Sequence, residues 1–229
     1  MLLLFDVDGT LLHGATEAHR DAVYAALRAV HGVDASSVRK GQSPAGRTDG
    51  DIAREILLDA GISAERIDDR ADEFRDEVCR AYARLCPTDL SHTVLPGVRE
   101  LLAWLSGRTG SRTALLTGNY EPVARLKLAR AGIGAAFERG QGAYGSDSED
   151  RAALPAIARR RAGTVGVPYP RADTIVVGDT PRDIACARAD GVRCLAVASG
   201  PCRADELVGA DAVVADAVEL RDSLEALGV

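Results

Sequence analysis

The N-terminal stretch Leu2-Leu3-Leu4-Phe5-Asp6-Val7-Asp8-Gly9-Thr10 restricts the possible folds of this chain more than any other. A short apolar run without alternation reads as a strand buried on both faces, as at the centre of a parallel sheet. It ends in Asp6 and Asp8, two residues apart, so both carboxylates point the same way while the extended conformation lasts. That end of a strand is where open α/β sheets hold their ligands. Gly9 then lets the chain turn away. Two like charges this close need a cation, a shared proton or hydrogen-bond donors, and Mg²⁺ accepts one or two carboxylates together with phosphate oxygens.

At 229 residues the chain can form one domain, or one domain carrying a large insertion. A net charge of −6 and 4% aromatic residues provide neither a basic field nor stacking platforms, which argues against nucleic acid as a partner. No apolar run approaches a membrane span, and Met1 to Phe5 lacks the basic start and the length of a signal peptide, so a cytoplasmic location is expected. Cys79, Cys86, Cys186, Cys194 and Cys202 are odd in number and form no CxxC pair. That speaks against a disulfide framework or a zinc site.

From about Thr16 to Leu90 the pattern is helical. Thr16 is placed to cap a helix with Ala22, Val23, Ala26, Leu27 and Val30 at three- and four-residue steps, ending near Gly32. Thr48 is the N-cap of a second helix, with Asp49 and Asp51 in its first turn, Ile52, Ile56 and Leu57 on one face, and a stop at Gly61. A third is predicted from Ser63 through Phe74, Val78, Tyr82 and Leu85 to Pro87. The loop between the first two holds Arg39, Lys40 and Arg47, and Arg47 is the candidate specificity residue.

Pro96-Gly97 opens a helix that leads to a strand, Thr113-Ala114-Leu115-Leu116-Thr117. Thr117, Gly118 and Asn119, just before a helix starting around Pro122, form a strand-to-helix turn suited to phosphate, because exposed N–H groups and the positive helix end both favour an anion. Lys127 lies in that helix and, since helical side chains lean toward the N-terminus, can extend toward Thr117. Another helix starts at Arg151 and ends in Arg159-Arg160-Arg161, a basic last turn that suits the helix dipole. The strand Thr174-Ile175-Val176-Val177-Gly178 delivers Asp179, a third strand-end carboxylate of the kind a cation shared with Asp6 needs. Pro181 then starts a helix with Asp183 in its first turn, and strands at 193–197 and 212–214 finish the alternation of a doubly wound parallel α/β fold.

Asp-Val-Asp-Gly-Thr at 6–10, Leu-Leu-Thr-Gly-Asn at 115–119 and Val-Val-Gly-Asp-Thr-Pro-Arg-Asp at 176–183 resemble, in that order, three motifs of the haloacid dehalogenase superfamily of phosphohydrolases, with a layout similar to phosphoglycolate phosphatases. The resemblance implies a Rossmann-like core at 1–14 and 91–229, with an α-helical cap domain at 15–90 that closes over the site. It implies Asp6 as a nucleophile forming an aspartyl-phosphate, and Asp8 as acid and then base. Mg²⁺ would be held by Asp6, the Asp8 carbonyl and Asp179, with Asp183 beside it. Thr117, the following amides and Lys127 would neutralise a phosphorylated small molecule. The motif between the second and last is a lysine in many members. Here Lys127 is the expected cation and Arg151 the second candidate. His13 falls in the stretch that forms a small flap in the family.

Within that superfamily the residues sort the activities. Asp8 argues against dehalogenation, and imine-forming phosphonate hydrolysis has only Lys40 to offer. A phosphomutase of the β-phosphoglucomutase type shares the core chemistry, and a non-catalytic binding subunit would keep the fold alone. Monomer and homodimer are equally compatible with the sequence.

Overall fold

Leu2–Phe5 is the innermost strand, β1, and all four of its residues are buried. In this computed structural model, which describes residues 1–35 and 43–229, five further strands join it. They are Arg112–Thr117 (β2), Ala143–Tyr144 (β3), Thr174–Gly178 (β4), Arg193–Val197 (β5) and Ala212–Val214 (β6). The order is β3-β2-β1-β4-β5-β6 and every pairing is parallel. β3 has only two residues, too short to carry a pattern, and was not anticipated from sequence.

The two-residue period of β1 divides the core. Leu3 and Phe5 join one apolar cluster with Leu101 and Leu105 of helix α5 (Val98–Ser106), Leu128 of α6 (Glu121–Arg130) and Leu224 of α9 (Ala217–Ala226). Leu2 and Leu4 join a second with Leu154 and Ala158 of α7 (Leu154–Ala162) and Ala187 of α8 (Pro181–Asp190). Helices therefore cover both faces, as a run apolar on every side requires. The chain leaves β1 for β2 on one side and returns to β4 on the other. That reversal opens a crevice beyond the carboxyl ends of β1, β2 and β4.

Between β1 and β2 the chain inserts α1 (Glu17–Ala26), α2 (Asp49–Asp59), α3 (Ala64–Asp69) and α4 (Ala71–Leu85). Ala22, Leu27, Val78 and Tyr82 of this insertion belong to the same cluster as Phe5, so its core is continuous with one layer of the sheet. Thr48 caps α2 as expected, accepting from Asp51 N–H. Three details differ from the sequence reading. Thr16 precedes α1 with helical dihedrals, and its hydroxyl caps nothing. After Ala26 the helix widens into a π turn over Leu27–His31 before Gly32 ends it. The helix expected from Ser63 to Pro87 breaks at Arg70, whose guanidinium pairs with Glu73 and donates to the Val30 carbonyl, pinning the junction to that π turn. Arg39 and Lys40 lie outside the described residues. No helix among the described residues is long and apolar enough to cross a membrane.

Candidate active site

β1, β2 and β4 run side by side, so their carboxyl ends bring Asp6, Thr117 and Asp179 to one place. Oxygens of Asp6, Asp179 and Asp183 lie within 4.8 Å of one another, all three residues buried. Gly9 makes the approach possible. Its φ is +89°, and a Cβ there would sit 2.1 Å from Asp179 Oδ2. Thr10 Oγ1 donates to Asp179 Oδ1 at 2.8 Å, while Asp179 Oδ2 is buried with no hydrogen-bond partner among the described residues. Burial, together with Asp6 and Asp183, pushes the Asp179 carboxyl up to about 8. Burial also raises Asp6 to about 6, against the pull of Arg151. An orphaned oxygen among three crowded carboxylates fits a hard divalent cation, which takes oxygen ligands and offsets their repulsion.

Arg151 is the positive charge inside this group. Its guanidinium lies 3.2 Å from Asp6 Oδ2 and also pairs with Asp183. Burial opposes its charge, but Asp183 and Asp6 outweigh that and hold it firmly protonated. Asp183 is fully engaged: its other oxygen accepts from Thr180 N–H (3.0 Å) and Thr180 Oγ1 (2.7 Å) in the capping box of α8. It therefore orients Arg151 from beside the cluster.

Lys127, expected to reach toward Thr117, instead faces Asp8. Its Nζ is 2.8 and 2.7 Å from the two Asp8 oxygens and 3.2 Å from His19 Nδ1, which uses all three ammonium protons. Asn119 Nδ2 donates to Asp8 Oδ2 at 3.0 Å and to Thr117 Oγ1 at 3.1 Å. Burial alone would raise the Asp8 carboxyl, but Lys127, His19 and Asn119 hold it below the usual carboxylate range. Thr117 thus lies on the floor of the site, its oxygen accepting from Asn119.

Two residues that the sequence reading passed over complete the site from the insertion. A lysine can only donate, so His19 Nδ1 accepts and Nε2–H is left to donate to Asp49 Oδ2 at 3.1 Å. The same Asp49 oxygen accepts from Tyr120 N–H of the core at 2.8 Å. Asp49 had been assigned only to a helix first turn, and its long reach to the start of α6 leaves no mark in local spacing. His19 shares a helix face with Thr16 and Val23, the one available signal.

The insertion sits directly on the phosphate-type turn. Asp49 N–H donates to Gly118 O at 2.9 Å, and a Cβ on Gly118 would stand 1.9 Å from the Arg47 carbonyl, so only glycine lets the two backbones approach. Thr48 Oγ1 donates to Glu149 O at 2.7 Å. Arg47, the expected specificity residue, lines the cavity, and its guanidinium is turned to the α2 helix that follows it: 2.6 Å to Asp51 Oδ2, 3.0 Å to Asp51 O, and paired with Glu55. His13 is exposed at the rim. A cavity of about 660 Å³ lies between the two parts, with Asp6, Asp8, Thr117, Asn119, Arg151 and Asp179 along its floor.

A family model described as haloacid dehalogenase-like hydrolase matches residues 1–191. A phosphoglycolate phosphatase of Rhodospirillum rubrum is 31% identical over 228 residues, covering 97% of this chain and 90% of that protein. A crystal structure of a hydrolase from Pseudomonas syringae superposes with a TM-score of 0.68 at 23% identity, covering 99% of both chains. CbbY from Rhodobacter sphaeroides, in complex with phosphate, gives a TM-score of 0.65 at 20% identity, covering 96% of this chain and 95% of that one. At such identities the two structures speak for the fold.

Proposed function

We propose that this chain, which belongs to the haloacid dehalogenase-like hydrolase family and is a phosphatase within it, hydrolyses a small phosphorylated metabolite through an aspartyl-phosphate on Asp6 in a Mg²⁺-dependent reaction. The observation that carries the reading is the buried trio Asp6, Asp179 and Asp183, with the orphaned Asp179 oxygen, at the foot of a cavity. Asp6, Asp179 and the Asp8 backbone carbonyl are the groups to hold the ion, with Asp183 behind them. When bound, Mg²⁺ neutralises phosphoryl oxygens and lets them come close to the Asp6 carboxylate.

The chain's own residues then divide the work. An Asp6 oxygen attacks phosphorus as the ester P–O bond breaks, and the departing oxygen takes a proton from Asp8. Water next attacks the phosphorus of the aspartyl-phosphate, gives its proton back to Asp8 and frees the Asp6 carboxylate, so ester and water become alcohol and phosphate. Asp8 held ionised by Lys127 suits this second half; the first half needs the proton on Asp8. Thr117, the amides that follow it and Arg151 bear on the equatorial oxygens, where most catalysis of phosphoryl transfer arises. Arg151 takes the part that Lys127 was expected to fill, because its guanidinium lies against Asp6 while the three Lys127 protons serve Asp8 and His19. Residues 15–90 act as a cap domain whose closure excludes water.

Phosphate release from a panel of phosphorylated metabolites, measured with Mg²⁺, with chelator and for Asp6→Asn, tests the scheme. Release lost in both controls is expected. Turnover surviving in Asp6→Asn would sink it, and no release from any compound would point to a mutase or a non-catalytic subunit.

A further inference from the structure

The cap side of the cavity changes chemistry along two helices. α1 turns His19 and Val23, four residues apart, toward the cavity with Tyr24 beside them, and α2 turns Asp49, Ile52 and Ile56, at the three-, four- and seven-residue steps that mark one helix face. The polar members, His19 and Asp49, stand at the end nearest Asp8, to which they connect through Lys127. Beyond them Val23, Ile52 and Ile56 form an apolar stripe flanked by Arg20 and Arg47. At 1.5 Å per residue, Val23 lies about 6 Å along α1 from His19, and Ile56 about 10 Å along α2 from Asp49.

Charge on this wall is already matched. Among the described residues each arginine that lines the cavity is paired with carboxylates: Arg20 with Asp21, Arg47 with Asp51 and Glu55, and Arg151 with Asp6 and Asp183. A ligand carboxylate would have to share an arginine with the carboxylates it already bears, inside a cavity that also holds Asp6, Asp8, Asp49 and Asp179. A hydrocarbon group needs no such sharing and gains burial against Val23, Ile52 and Ile56.

We propose that the cap selects phosphomonoesters whose leaving group is uncharged and apolar, seated on Val23, Ile52 and Ile56, and disfavours those whose leaving group ends in a carboxylate. The inference rests on the phosphatase reading for turnover, though not for binding. It also separates this chain from its Rhodospirillum rubrum relative, a phosphoglycolate phosphatase.

The test compares hexyl phosphate, the same ester with its last carbon oxidised to a carboxylate, and phosphoglycolate. Turnover is read as kcat/KM, and binding is read by calorimetry with the non-hydrolysable hexylphosphonate and phosphonopropionate. Differences in one apolar contact set change such ratios by about 10–200-fold. We expect hexyl phosphate to be favoured at least tenfold over both acids, with the same order among the phosphonates, and Ile56→Lys to reverse the order. A preference for phosphoglycolate, or equal binding of the two phosphonates, overturns the inference. Hexylphosphonate bound more tightly with no turnover of any ester would sustain it while removing the phosphatase reading.

Discussion

Asp6 and Asp8 are two residues apart in sequence, yet the surroundings of one are the reverse of the other's. Around Asp6 there are too many carboxylates: Asp179 and Asp183 share its space with one guanidinium, and the carboxyls of Asp6 and Asp179 are pushed up to about 6 and about 8. Around Asp8 there are too many donors: Lys127 and Asn119 bear on a single carboxyl that is held low. One half of the site lacks positive charge and the other is already balanced. In the proposed scheme a cation belongs in the first half, and the group that both gives and takes a proton belongs in the second.

The largest test removes the two cations in turn. Arg151→Met leaves three buried carboxylates facing one another, and loss of one member of a buried pair costs about 3–5 kcal/mol. Lys127→Met should cost less, because the Asp8 side chain is 23% exposed and keeps Asn119. Urea unfolding in chelator measures both, and adding Mg²⁺ should restore more stability to Arg151→Met than to Lys127→Met. Equal losses and equal recovery would erase the distinction between the halves. Of intermediate size is the gain of the natural protein from Mg²⁺, about 2.7 kcal/mol at a hundredfold excess over Kd. Asp179→Asn should abolish that gain, whereas Asp8→Asn should keep it, since only a backbone carbonyl of Asp8 faces the ion in the proposed scheme. Thermal unfolding against Mg²⁺ concentration reads both variants.

What could be read from sequence follows the range of the forces involved. The strand through Leu2–Phe5, the Thr48 cap and the strand-end carboxylates Asp6 and Asp179 are local patterns, and the fold arranges them as their periods demand. Arg151 and Lys127 are not separable by sequence: one lies just before α7 and the other in the last turn of α6, and only the packing of those helices against β1 decides which carboxylate each long side chain meets. Arg47 shows the reverse dependence: it lines the cavity as expected, and Asp51 and Glu55 of the following helix, four and eight residues on, already hold its guanidinium. The Asp49–His19–Lys127 chain joins residues up to 108 positions apart, and no spacing rule could have assembled it.

The smallest effect extends the comparison to a buried ionisable group with no hydrogen-bond partner among the described residues. His31, in the π turn that follows α1, is 6% exposed, and neither ring nitrogen has a hydrogen-bond partner among the described residues. Burial first, then the charges of Arg70 and Arg66 against the weaker pull of Glu73, hold its pKa below the ordinary 6.5. The unfolded chain therefore binds the proton more readily. Stability is fully present above pH 6.5 and is lost as pH falls through that value and then through the lower pKa of the folded state. His31→Leu removes the group and its unsatisfied nitrogens, so its unfolding free energy should exceed that of the natural protein, and by a wider margin at pH 5 than at pH 8. Each margin comes from urea unfolding of both proteins at both pH values. An equal margin would mean that His31 finds a proton acceptor or water in solution. The helical insertion would then tolerate a buried charge as the Asp8 half of the site does, by supplying partners.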